Sequence, residues 1–400
     1  MVQMVKYRGP LQKQKMNIYR KIIVSKHVLA YLCATVILAV PVAAYALHAP
    51  EAESVTYTAP EGNISVVAST TKPDTQKAEQ NSSSQEKSES VKKETAKLAT
   101  PKATPAAPTT RVNAAPAQQT PAPISPRGKA LYVDPTLARQ GRPAAIATQP
   151  IASWFGGWNA DIKTDVNAVV SAASSQGKLA ALIAYNIPKR DCGSYSAGGA
   201  ANSQAYREWI RLFAAGVGQR EAIVIIEPDA LPGLDCLSNS DQQQRLQDIS
   251  YAVSTLTQTT KASVYIDAGN YSWQSASTMA ERLRSAGVSG ARGFSINVSG
   301  FGWQQNTVAY GDQLARLLGG KSYVIDTSRN GQGPTATNEW CNPRGRGLGK
   351  LPTTSTGLQY VDAYLWAKVP GESDGECNGG PGAGTWWQDY AQELIDNARH

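Results

Sequence analysis

Histidine is almost missing from this chain: three occur in 400 residues, at positions 27, 48 and 400. No CxxC or HxxxH spacing is present either, which leaves little from which to build a metal site, so neither metal nor cofactor is expected. Excess charge is missing from residues 129–400. The first 128 residues hold 16 of the 39 basic and 8 of the 31 acidic side chains, so the whole net charge of +8 lies there and the remaining 23 of each sign cancel. A nucleic-acid groove needs its basic residues on a folded surface, and no nucleic-acid partner is expected. Aromatic residues are scarce between His48 and Arg127, a stretch of Ala, Pro, Thr, Ser, Lys and Gln that cannot bury enough apolar surface to offset the entropy of ordering. Residues 48–128 therefore read as a disordered tether, stiffened by proline over 101–126. Solenoid repeats are absent.

One long apolar run is present. Val28–Leu47 is 20 residues without a charge, behind a basic stretch (1–27) that carries Lys6, Arg8, Lys13, Lys15, Arg20, Lys21 and Lys26. Ala44-Tyr45-Ala46 offers a small-x-small cleavage site, as in a signal peptide, and the same length suffices to anchor in a bilayer. Both readings stand at this point, and each puts everything after residue 47 outside the cytoplasm, secreted or tethered to the outer face of the membrane. Cysteine usage fits that compartment. Cys33 lies within the apolar run; Cys192, Cys236, Cys341 and Cys377 read as two disulfides with three possible connectivities.

From Lys129 onward, short apolar runs alternate with helical segments. Strands are expected at Leu131–Val133, Thr148–Trp154, Ala180–Asn186, Ala222–Glu227, Ser263–Asp267, Gly293–Asn297, Ser322–Asp326 and Asp362–Lys368. Helices are expected at Asp161–Ser175, Ser203–Val217, Asp241–Thr257, Ala276–Ser285, Gln304–Leu318 and Thr385–Asn397. Seven or eight βα units predict an α/β fold of TIM-barrel type, with its active site at the C-terminal ends of the strands.

Acids fall at those ends. Ile223-Val-Ile-Ile-Glu-Pro-Asp229 delivers a carboxyl at the tip of an apolar strand, and the runs ending at Asp191, Asp267 and Asp374 do the same. Glycoside hydrolysis needs one acid still protonated when the leaving oxygen takes its proton, and a second carboxylate to help water attack. Desolvation and like charge would both raise the pKa of Asp229, as a general acid requires. A lone Asp after Pro more often caps a helix or holds a turn; its company at equivalent strand ends favours chemistry.

The segments Tyr185-Asn-Ile-Pro-Lys-Arg-Asp-Cys-Gly193, Ile226-Glu-Pro-Asp229, Asp267-Ala-Gly269, Asp326-Thr-Ser-Arg-Asn-Gly-Gln-Gly-Pro334, Glu339-Trp-Cys-Asn-Pro343 and Leu365-Trp-Ala-Lys-Val-Pro-Gly-Glu-Ser-Asp374 resemble, in order, glycoside hydrolase family 6. The resemblance implies a distorted barrel of about seven parallel strands over 129–400 and inverting cleavage of β-1,4-glucan. It implies Asp229 as general acid, Asp191 as the acid that tunes it and helps position water, and Asp374 as the proposed base. Sugar contacts are implied for Tyr185, Trp154, Asp267, Trp273, Asn297, Trp340, Lys368 and Glu372, and the bridges Cys192–Cys236 and Cys341–Cys377 are implied as well. Trp303, Trp366, Trp386 and Trp387 read as packing, and Arg190 is expected to pair with a carboxylate. Asn270 stands where the family usually has His, so that substrate-lining position cannot titrate. The short stretch from Asp134 to Thr148 and the compact, glycine-rich Lys368–Trp386 segment predict an open groove, hence an endoglucanase. A cellobiohydrolase and a non-catalytic glucan-binding surface protein are the alternatives, and a monomer is expected.

Overall fold

The computed structural model describes residues 123–399. The basic stretch, the apolar segment 28–47, Cys33 and nearly all of the tether lie outside the described residues. Seven parallel strands form one sheet in sequential order: β1 (Ser153–Phe155), β2 (Ala180–Ala184), β3 (Ala222–Ile226), β4 (Ser263–Asp267), β5 (Gly293–Ile296), β6 (Ser322–Asp326) and β7 (Val361–Leu365). The sheet curls into a distorted barrel whose first and last strands barely meet. The Ile151–Trp366 bridge, with the Ala152 N–H donating to the Trp366 carbonyl at 3.0 Å, joins those edges.

Strand residues alternate between two cores, as a pleat of period two requires. Ile183, Ile223, Ile225, Tyr265, Val324 and Leu365 fill the barrel interior. Leu182, Val224, Ile226, Val264, Phe294 and Ile325 face outward onto the helices. Because both faces are covered, β3 reads as unbroken Ala-Ile-Val-Ile-Ile, all buried. The covering helices are α3 (Ile162–Ser174), α4 (Ser203–Val217), α5 (Asn239–Thr259), α6 (Ala276–Ser285) and α7 (Gln304–Leu317), preceded by the short α1 (Thr136–Arg139) and α2 (Ala144–Ala147). Four begin on side-chain caps: Asp161, Asn202, Ser238 and Ser275 accept from the backbone N–H three residues on, each contributing about 1 kcal/mol. The last helix, α8 (Gln388–Asp396), carries Tyr390, Ala391 and Leu394 into a third cluster with Ile146, Ile151 and Trp366 that fills the seam between β7 and β1.

Two expected strands differ. Leu131 makes only an isolated bridge to Leu179, because Asp134 accepts from Thr136 N–H and turns the chain into α1. Of Thr148–Trp154 only the end is strand. Thr148 closes α2, its hydroxyl donating to the Ala144 carbonyl, and Pro150 follows with no N–H to offer. Upstream, the chain is already docked before residue 129: Ser263 Oγ donates to the Ile124 carbonyl, and Arg127 Nε meets Asp362 at 2.6 Å.

Candidate active site

All ten non-glycine residues with positive φ among those described lie in loops that follow strand C-termini: Lys189, Asp191, Cys192, Glu227, Asp229, Asn297, Ser299, Asn338, Asn342 and Asn378. Such conformations cost about 1–3 kcal/mol each and persist only where the surroundings enforce them. The strain therefore gathers at one pole of the barrel, and the acids are there.

Asp229 sits at the end of the Glu-Pro-Asp turn after β3. Burial pushes its carboxyl well above the usual range, and the charges of Asp267, Asp191 and Asp374 push in the same direction. Three carboxylates from three other loops thus converge on it. Asp267, at the tip of β4, accepts from the Asp229 and Gly269 N–H groups with one oxygen (3.0 and 3.1 Å) and from the Ser295 hydroxyl with the other (3.0 Å). Burial lifts it to about 6 against those bonds. It has no exposed surface, which corrects the expected sugar contact: Asp267 holds the Asp229 backbone. Asp191 accepts from Ser196 N–H at 2.7 Å, and burial raises its pKa despite that bond and Arg190.

Asp374 is built the opposite way. Burial opposes its ionisation, yet Arg329 at 2.8 Å and Lys368 at 3.3 Å hold it below the usual carboxylate range. Arg329 is fully buried, donates also to the Ser299 carbonyl and lies 4.3 Å above the Phe301 ring. Asn342 completes the setting, its N–H donating to Asp374 Oδ2 and its Oδ1 accepting from Asp374 N–H. Lys368, expected to hold sugar, spends itself on Asp374 and the Ser373 carbonyl. Glu372 is tied to Arg142 at 3.0 Å.

Two further buried carboxylates act as loop clamps. Glu227 accepts from the Asn186 and Ile187 N–H groups and is raised by burial to about 7. Asp326 gathers the N–H groups of Ser299, Ser328, Ala367 and Lys368. Asn297, expected to touch substrate, is 1% exposed and ties the Asp326 and Gly302 backbones together instead. Arg190 is likewise corrected. Its guanidinium donates to the Tyr185, Ser196 and Ala197 carbonyls and packs on Tyr185, so it braces the Asp191 loop without an ion pair.

Around the acids, Tyr185 feels the charges of Asp229 and Asp191, which with burial raise its hydroxyl pKa. Trp154 meets the Tyr185 ring edge-on at 5.2 Å and donates its indole N–H to the Ala367 carbonyl. Trp273 and Trp340 are exposed. Trp273 borders Gly233, in the turn after Asp229 and beside Cys192. Trp303 is also exposed, lying flat on Gly333, and Trp158, which no sequence motif singled out, is 56% exposed beside Arg190. Trp366 is fully buried as expected. Asn270 folds its side chain onto the Ser272 N–H and hydroxyl. Both disulfides are present, Cys192–Cys236 and Cys341–Cys377, and each pins a loop that carries one of the clustered acids. Arg329 was within reach of sequence reasoning: a carboxylate that must stay ionised among three others needs a cation, and Arg329 follows the strand-end acid Asp326 by three residues.

The family model for glycosyl hydrolases family 6 matches residues 129–398. Endoglucanase A of Cellulomonas fimi is 45% identical over 282 residues, covering 67% of this chain and 61% of its own length. Endoglucanase 1 of Streptomyces halstedii is 42% identical over 261 residues, covering 63% of this chain and 80% of its own. Among solved structures, the endoglucanase Cel6 of Mycobacterium tuberculosis, in complex with a thio-linked cello-oligosaccharide, matches at 44% identity and a TM-score of 0.64, over 68% of this chain and 97% of that one. With its acids gathered at the strand C-termini and its family match running across the whole barrel, the chain belongs to glycosyl hydrolases family 6.

Proposed function

We propose that the protein hydrolyses internal β-1,4-glucosidic bonds of cellulose or a related β-glucan with inversion, Asp229 acting as general acid and Asp374 as base. The observation that carries this reading is the divergence of two carboxyls in one cluster. Burial and the neighbouring carboxylates raise the pKa of Asp229, whereas Arg329 and Lys368 hold that of Asp374 below its usual range despite burial; environments that split pKa values this way favour one carboxyl as acid and the other as base. Asp229 gives its proton to the glycosidic oxygen as the bond from that oxygen to the anomeric carbon breaks. Water adds to the anomeric carbon from the opposite face and loses its proton to Asp374, directly or through a second water. Asp191 keeps like charge near Asp229 and helps place the water. Tyr185 lies beneath the reacting sugar, and Trp154, Trp273 and Trp340 offer flat faces to neighbouring pyranose rings. The named relatives of 42–45% identity are endoglucanases, and the two disulfides suit an oxidising, extracellular setting.

The test compares wild type, Asp229→Ala and Asp374→Ala on soluble β-glucan, following viscosity and reducing ends together. Wild type should lower viscosity early, and both variants should lose nearly all turnover. Normal turnover by Asp229→Ala would remove the mechanism, slow viscosity loss would point to the cellobiohydrolase reading, and binding without reducing ends would point to a glucan-binding protein.

A further inference from the structure

Tyr195 reaches from one side of the acid cluster to the other. It belongs to the loop that starts at Asp191, whose first end is pinned by Cys192–Cys236 and whose return is fixed by Arg190 on the Ser196 and Ala197 carbonyls and by the Arg190 N–H on the Gly198 carbonyl. Its ring, however, rests on the opposite loop. The ring centroid lies 6.0 Å from that of Trp340 at a tilt of 54°. A Cβ placed on Gly375 would come within 2.5 Å of the Tyr195 ring, and Gly375 has φ 155, so the chain beside Asp374 is shaped to receive that ring. Trp340 and Gly375 belong to one unit, because Asn342 bonds both Asp374 and the Gly375 carbonyl and Cys341–Cys377 closes it. Tyr195 and Trp340 are 50% and 57% exposed, whereas Asp229 and Asp374 are largely buried and Asp191 is half-buried; the aromatic pair therefore stands on the solvent side of the acids.

We infer that Tyr195 is a specificity-determining residue: resting on Trp340 and Gly375, it bridges the cleft above the acids and must swing aside before an internal stretch of a polymer can be seated. This rests on the hydrolase reading of the same site. Short loops predict an open groove, but here two short loops still touch through one ring. A short oligosaccharide can thread beneath the bridge, whereas a long chain gripped in its middle cannot. The bridge is easily opened, since Tyr195 makes no hydrogen bond among the described residues and holds by ring contact alone.

The experiment measures kcat/KM for wild type, Tyr195→Ala and Tyr195→Phe on two substrates, cellotetraose by product release and soluble high-molecular-weight β-glucan by viscosity and reducing ends. Tyr195→Ala should raise the polymer value several-fold and leave the cellotetraose value close to wild type. Tyr195→Phe, which keeps the ring, should match wild type on both. Equal losses on both substrates in Tyr195→Ala would make the residue a sugar platform or a prop for Asp191 and overturn the inference, as would no change on either. Wild-type turnover in the same assays separates this failure from failure of the hydrolase reading, because a protein that releases no sugar at all fails the latter.

Discussion

Asp362 at one pole of the barrel and Asp229 at the other have their pKa values pushed in opposite directions. At the N-terminal pole, Asp362 has no exposed surface, yet it receives Arg127 and Arg292 on Oδ1 and Arg292 and the Tyr265 hydroxyl on Oδ2. Burial works against its ionisation, but those bonds outweigh it and hold the carboxyl below its usual range. At the C-terminal pole, burial and the charges of Asp267, Asp191 and Asp374 drive Asp229 the other way. Residue type is the same; the neighbours decide. One pole spends its charge on closing the barrel floor, and the other keeps like charges together, the arrangement that the proposed proton transfer would use.

The sharpest way to break that comparison is to neutralise each aspartate in turn. Asp362→Asn leaves two arginines short of a partner and should cost about 3 kcal/mol of stability, the low end for breaking a buried pair because Arg127 is partly exposed. Denaturant unfolding should show that loss while kcat of the folded fraction stays near wild type. Asp229→Asn should do the reverse, removing activity and leaving the melting temperature unchanged or higher. If both variants lost stability equally, the poles would not differ as argued.

A second test uses pH. Glu227 has its pKa raised in the folded state, so its contribution to stability is fully present below about pH 4.5 and is lost as pH rises to about 7. Each pKa unit of such a shift corresponds to about 1.4 kcal/mol. Melting temperature should therefore fall between pH 4.5 and 7, and Glu227→Gln should flatten that fall; an unchanged slope would assign it to other groups. Activity should also drop in Glu227→Gln, because the neutral amide grips the Asn186 and Ile187 N–H groups less strongly.

The smallest expected effect sharpens the contrast within the active pole itself. Removing the guanidinium in Arg329→Gln leaves Asp374 only Lys368 as a cationic partner, which should raise its pKa. With Asp374 as base, activity is lost as pH falls through that pKa, so the acidic limb of kcat/KM should move to higher pH. The alkaline limb, set by Asp229, should move little. A shift of the alkaline limb instead would exchange the two roles.

Much of this was legible in sequence because it is local. Ala276–Ser285 and Ser203–Val217 are helices at the expected residues, set by apolar spacing and the caps Ser275 and Asn202. Strands β4 and β6 end on Asp267 and Asp326 as read. The two expected strands that differ do so for local reasons as well: the turn at Asp134 replaces Leu131–Val133, and Pro150 leaves only the end of Thr148–Trp154 as strand. What sequence reading misjudged was which polar side chains face the cleft. Asp267 and Asn297 look like cleft residues from their place at strand ends, but the backbone N–H groups around them claim their acceptors first. Trp303 looks like packing and is exposed, because its neighbour at 333 is a glycine that no spacing rule connects to it.

Taken alone, the chain's order of residues determined the βα alternation and the acids at strand tips, since propensity, pleat and cap act within a few residues. Only the tertiary structure decided which aspartate has its pKa pushed up and which has it pulled down, which tryptophans meet solvent, and that Tyr195 touches the far loop. Those outcomes depend on desolvation and on charges brought together from separate loops, and neither quantity exists until the barrel has closed.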